Sequence, residues 1–110
     1  MASLKAMLAA TLLISGPSLA AEPAIRISCN HTSQAGFDAA VTLMNRNPVD
    51  AHRMFDEMWR RDRDCAILFW GMALSTADPE ERQDDALYAI VTAVIAGVND
   101  DESRRIFALQ

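Results

Sequence analysis

Cys29, His31, His52 and Cys65 are the residues whose types could do chemistry together. Two thiolates and two imidazoles are a donor set for tetrahedral zinc. Their spacing fits no standard zinc finger, and in an exported chain the thiols would oxidise instead. No metal or other cofactor is expected. Nucleophilic catalysis is poorly supplied: Ser28, Ser33, Ser75 and Ser103 lack a glycine elbow, and only His31 lies near any of them. Asp56-Glu57, Glu80-Glu81, Asp84-Asp85 and Asp100–Glu102 offer paired carboxylates, but they fall at helix starts and on polar faces. There the helix dipole and solvent account for them. His31 is expected in an extended leader, and His52 on a solvated helix face beside Arg53. No catalytic residue is expected, so the chain is read as a non-enzyme.

The elements that would hold these residues begin after an export signal. Met1–Lys5 carries the only lysine of the 110-residue chain, Ala6–Ser15 is apolar, and Gly16-Pro17 breaks the run before Ser18-Leu19-Ala20. These are the three regions of a secretory signal peptide in order, with cleavage expected after Ala20, Ala21 being the alternative. The apolar run is about half the roughly 20 residues needed to span a bilayer, so no membrane insertion is expected after cleavage. The mature part holds nine arginines against fifteen acids, a charge of −6. That balance argues against nucleic acid, whose phosphates nothing here would neutralise. Without a lysine, Schiff-base chemistry is also excluded. Export places the chain in the periplasm or outside the cell. Cys29 and Cys65 are then expected to form a disulfide, the alternative being two buried thiols. A bridge closing a loop of about 36 residues would stabilise by roughly 3–4 kcal/mol in the chain-entropy model.

The mature chain is predicted to be all-α: an extended leader over residues 21–31, then a helical domain over 32–110. Thr32 or Ser33 can cap a first helix, whose apolar face is Phe37, Ala40, Val41 and Met44. Asn47 and Pro48 suit the cap and first turn of a second helix carrying Ala51, Met54, Phe55, Met58 and Trp59. The carboxylates of Asp62-Arg63-Asp64 favour a helix N-terminus just ahead of Cys65–Ser75. That run is apolar on every side, as expected of a central helix. Gly71 within it costs about 1 kcal/mol relative to alanine unless a close helix crossing requires it. Trp70 and Gly71 are therefore read as structural. Asp78-Pro79 starts a fourth helix, for which Leu87, Ile90, Val91, Val94, Ile95 and Val98 give the apolar stripe. Gly97 or Asn99 ends it. Asp100–Glu102 opens a short last helix with Ile106, Phe107 and Leu109. No stretch alternates as a strand would, and the short connections predict antiparallel neighbours.

Ala40 and Gly71 stand at matching places in the first and third helices, and Ala51 and Ala86 in the second and fourth, 31 and 35 residues apart. A period near 34 with paired helices is the tetratricopeptide spacing. Motifs extend the comparison: Ser28-Cys29, Gln34, Phe37-Asp38, Ala51 to Phe55, Asp62-Arg63-Asp64-Cys65-Ala66, and Trp70-Gly71-Met72-Ala73-Leu74-Ser75. This series, together with Glu102–Leu109, resembles the N-terminal module of exported bacterial tetratricopeptide-repeat (TPR) proteins. Arg63 stands where that pattern usually has proline, the turn at Asn45–Pro48 is one residue short, and the family's chains carry more repeats. The resemblance implies a TPR-like stack of about two helical hairpins plus a terminal helix. It also implies a scaffold for protein contacts, with no catalytic residue.

In such a stack the first helix of each hairpin lines the concave side. Phe37, Val41, Met44, Leu68 and Met72 are thereby expected to line an apolar groove. A partner's helix or peptide, or a second copy of the chain, is expected in it, in preference to the last helix folding over it. The function read from the sequence is non-enzymatic binding of a protein or peptide. A small periplasmic stress chaperone, or an inhibitor or immunity protein, is the alternative.

Overall fold

Four helices of the protein begin where a short polar side chain accepts from a backbone N–H of the first turn. The pairs are Gly36 N to Ser33 Oγ, Asp50 N to Asn47 Oδ1, Glu80 N to Asp78 Oδ1 and Glu102 N to Asn99 Oδ1, at 2.8–3.1 Å. A computed structural model describes residues 24–110; the expected signal peptide over residues 1–20 and the first three leader residues lie outside them. The described chain is all-α. Its helices are α1 (Gln34–Met44), α2 (Pro48–Arg61), α3 (Ala66–Ser75), α4 (Pro79–Ala96) and α5 (Asp100–Phe107). Pro48 and Pro79 occupy first turns, where a missing N–H leaves no bond unmade. Gly97, with φ of +88°, ends α4 in a conformation that other residues rarely adopt.

α3 is the centre. Ala66, Ile67, Leu68, Trp70, Gly71, Met72, Ala73 and Ser75 are buried, and α2, α4, α5 and α1 all pack on this helix. Gly71 makes the closest approach: a Cβ built there would lie 2.5–2.6 Å from the Phe55 ring of α2. Phe55 in turn stands edge-on to Phe37 of α1 at 6.0 Å, and Phe37 lies 6.2 Å from Trp70. The leader lays Ile25 into the same cluster, and α5 adds Ile106.

Two expectations about burial are corrected. The carboxylate of Asp62 does not serve the start of α3. It is buried and accepts from His31 N at 3.0 Å and Thr32 Oγ1 at 2.8 Å, tying the leader to the end of α2. The stripe read along α4 is not its core face. Ala89 and Ala93 seat α4 on the core, with Ile90 half-buried beside them. Leu87, Val91, Val94 and Ile95 face outward, 57, 45, 72 and 80% exposed. Alanines permit a close approach of α4 to α3, which turns the larger side chains about a third of a circle or more away from it.

Candidate functional site

Besides the Asp62 contact to His31, the leader is fixed from three further sides. Cys29 and Cys65 are joined by a disulfide, their Cα atoms 5.2 Å apart, which fastens the leader to the N-cap position of α3. The Gln34 amide works on the leader backbone as a neighbouring strand would: Nε2 donates to Ile25 O at 2.6 Å and Oε1 accepts from Ile27 N at 3.0 Å. From the far end of the chain, Glu102 accepts from Ser28 N at 3.0 Å, Ser28 Oγ at 2.5 Å and Asn99 N at 2.9 Å. Asn99 Nδ2 adds a bond to Arg26 O at 2.8 Å. Glu102 is thus buried with both carboxylate oxygens accepting hydrogen bonds. The expectation of a solvated acid at this helix start is corrected, because the leader folds over the first turn of α5.

The anticipated concave groove is largely filled by the same arrangement. Phe37, Leu68 and Met72 are buried in the core, and Trp70 with them. Ile25 and Ile106 join their cluster, so no open apolar surface remains at these three positions. Val41 and Met44 are half-buried and, with Phe37, Trp70, Ile25 and Arg105, line a cleft of about 510 Å³. The expectation that Phe37, Leu68 and Met72 line an open groove is corrected here. The leader, anchored by Cys29 and Gln34, supplies an apolar side chain to that side.

The continuous apolar surface lies instead on α4. Leu87, Val91, Val94 and Ile95 follow helical i, i+4, i+7, i+8 spacing, and Tyr88 is half-exposed beside them. Exposed Glu80 and Asp84 stand toward one end of this stripe and exposed Asp100 beyond the other. On the neighbouring flank an aromatic file crosses three helices. Arg63 caps Trp59 at 4.4 Å from the ring centroid, Trp59 meets Phe69 at 5.2 Å, and Phe69 meets Tyr88 at 5.5 Å. The residue that departs from the TPR pattern, Arg63, therefore has a packing role in this chain.

Comparison of the chain with known protein families, curated proteins and solved structures finds no match. The site is accordingly described by its own chemistry. His31 is exposed and contributes only its backbone N–H to Asp62. His52 does not stand free in solvent beside Arg53 as expected. It is half-buried against Glu81 and Asp85 of α4. Cys29, His31, His52 and Cys65 are not assembled as one donor set, and the disulfide uses both thiols. Among the described residues no helix is long and apolar enough to cross a membrane. The sequence carried one usable sign of the buried carboxylate: Asn99 and Glu102 have capping-box spacing, and the box is formed. Nothing local signals that the leader would share that carboxylate.

Proposed function

We propose that this chain is an exported, non-enzymatic TPR-like module that binds a protein partner through the outer face of α4. The observation that carries this reading is the solvent-facing stripe Leu87, Val91, Val94 and Ile95. A contiguous apolar strip rimmed by charge marks an interaction surface more often than an accident of composition. Its helical spacing suits an amphipathic helix of the partner, packed alongside α4 through apolar faces. The acids toward the two ends of the stripe and the net charge of −5 over the whole chain favour a partner helix whose apolar face is flanked by basic residues. Export to the periplasm or beyond fits the disulfide, which persists in oxidising compartments.

Site-specific photocrosslinking from position 94 in the exported protein tests this. A discrete heteromeric adduct that disappears when Val91→Glu and Ile95→Glu are added supports a dedicated partner. A broad ladder of adducts would replace that reading with a small holdase. Adducts of twice the chain mass alone would make a second copy the occupant, and no adduct at all would remove α4 as the binding face.

A further inference from the structure

We propose that His52, Glu81 and Asp85 form a binding site for one divalent transition-metal ion, of the zinc type, that joins α2 to α4. The two helices do not pack on each other directly; α3 lies between them. Side chains alone bridge the gap. His52 Nε2 is 2.9 Å from Glu81 Oε1 and 4.0 Å from Asp85 Oδ2. One donor atom from each of the three residues lies within 4.8 Å of the other two. Around tetrahedral zinc, donor atoms bonded at about 2.0–2.2 Å sit roughly 3.2–3.6 Å apart. The observed separations bracket that range.

A plain ion pair does not account for the cluster. Nε2 has Glu81 as its neighbour, whereas Asp85 Oδ2 is buried and accepts no hydrogen bond. Orphaned buried polar atoms of this kind call for a ligand or a water. An acceptor without a partner that faces an imidazole nitrogen at 4.0 Å is served, together with that nitrogen, by one cation between them. Charge points the same way. Glu81, Asp84 and Asp56 all add negative potential at Asp85. A dication offsets that potential. The imidazole selects zinc or a similar transition ion over magnesium or calcium, which take oxygen donors. His52 and Glu81 keep partly exposed side chains, which leaves an entry path and room for water as a fourth ligand. Glu81 and Asp85 are an i, i+4 pair on one face of α4, so the helix itself sets their separation.

The test is calorimetric titration of the full exported chain with Zn2+ after treatment with chelator, alongside visible spectra of the Co2+-loaded protein. One zinc per chain is expected. His52→Ala and Asp85→Asn are each expected to weaken binding by about tenfold or more and to abolish the Co2+ bands, while His31→Ala changes neither. All three variants alter side chains outside the hydrophobic core, and circular dichroism confirms their folding. Glu81→Gln, at the most exposed of the three ligands, supplies an independent variant should another unfold. Absence of saturable binding overturns the proposal. So does zinc binding that survives the ligand substitutions, which would place the ion elsewhere.

Discussion

Gly71 and Phe55 show at the scale of single residues how the helices are spaced. A Cβ at position 71 would lie 2.5 Å from the Phe55 ring, so Gly71→Ala is expected to destabilise the fold by about 1–3 kcal/mol through overpacking. Thermal unfolding of the variant, and of Gly71→Ala combined with Phe55→Leu, checks this. The smaller side chain is expected to recover part of the loss. Glu102 is a second lesson. Glu102→Ala leaves Ser28 N, Ser28 Oγ and Asn99 N without their acceptor, at about 1–3 kcal/mol, together with faster amide exchange at Ser28. Asp85 gives a pH signature in chelator-treated protein. Burial, reinforced by Glu81, Asp84 and Asp56 and opposed by His52, pushes its carboxyl up from 3.8 to about 6. The folded chain therefore holds that proton more tightly than the unfolded one. The resulting stabilisation is complete below the unfolded value and is lost as pH rises through about 6. Asp85→Asn is expected to show a smaller fall in denaturant midpoint than the wild type between pH 4 and pH 7. An equal fall in both would assign the loss to other groups. At this scale the caps Ser33, Asn47 and Asp78 and the tight crossing at Gly71 were legible in the sequence, because each depends on near neighbours or on one residue's size. The burial of Asp62 and Glu102 was not. Their partners lie about 30 and 74 residues away in the chain, on a leader without periodicity.

Helix boundaries followed from local chemistry, and the helix faces followed only where large side chains marked them. α3 is apolar throughout, and its central place was evident from composition. α4 carries two candidate faces. Hydrophobic weight favoured Leu87, Val91, Val94 and Ile95, whereas packing used Ala89 and Ala93. Alanine contributes little burial by itself but permits close helix approach, a gain that depends on the neighbour and not on the helix. The same consideration reassigns the first and third helices. Phe37→Asp or Leu68→Asp places a charge at a fully buried position and is expected to unfold the domain, read as loss of the cooperative thermal transition. Retention of that transition would reopen these positions as part of a groove. Such a groove could not have been excluded from the sequence, because the covering residue, Ile25, belongs to the irregular leader.

The described residues pack around one hydrophobic cluster, fastened at its edge by a covalent bond. Removing Cys29–Cys65, as Cys29→Ala with Cys65→Ala, is expected to lower stability by roughly 3–4 kcal/mol in the chain-entropy model. The leader should also exchange its amides faster than α3 does. Denaturant unfolding with hydrogen exchange at Ile25–Ser28 measures both. Equal stability with and without the bridge would mean that Gln34, Asp62 and Glu102 hold the leader unaided. With Phe37, Leu68 and Met72 in the core, the proposed partner surface is the outer face of α4, and the functional account depends on that face being surface. The most direct test is the thermal midpoint of the oxidised Val91→Glu, Ile95→Glu variant against wild type. The account predicts midpoints that agree within the effect of ordinary surface substitutions, about 0.5 kcal/mol in stability. A fall of the size produced by a core lesion would show that the stripe is buried in the native protein, and would contradict the account.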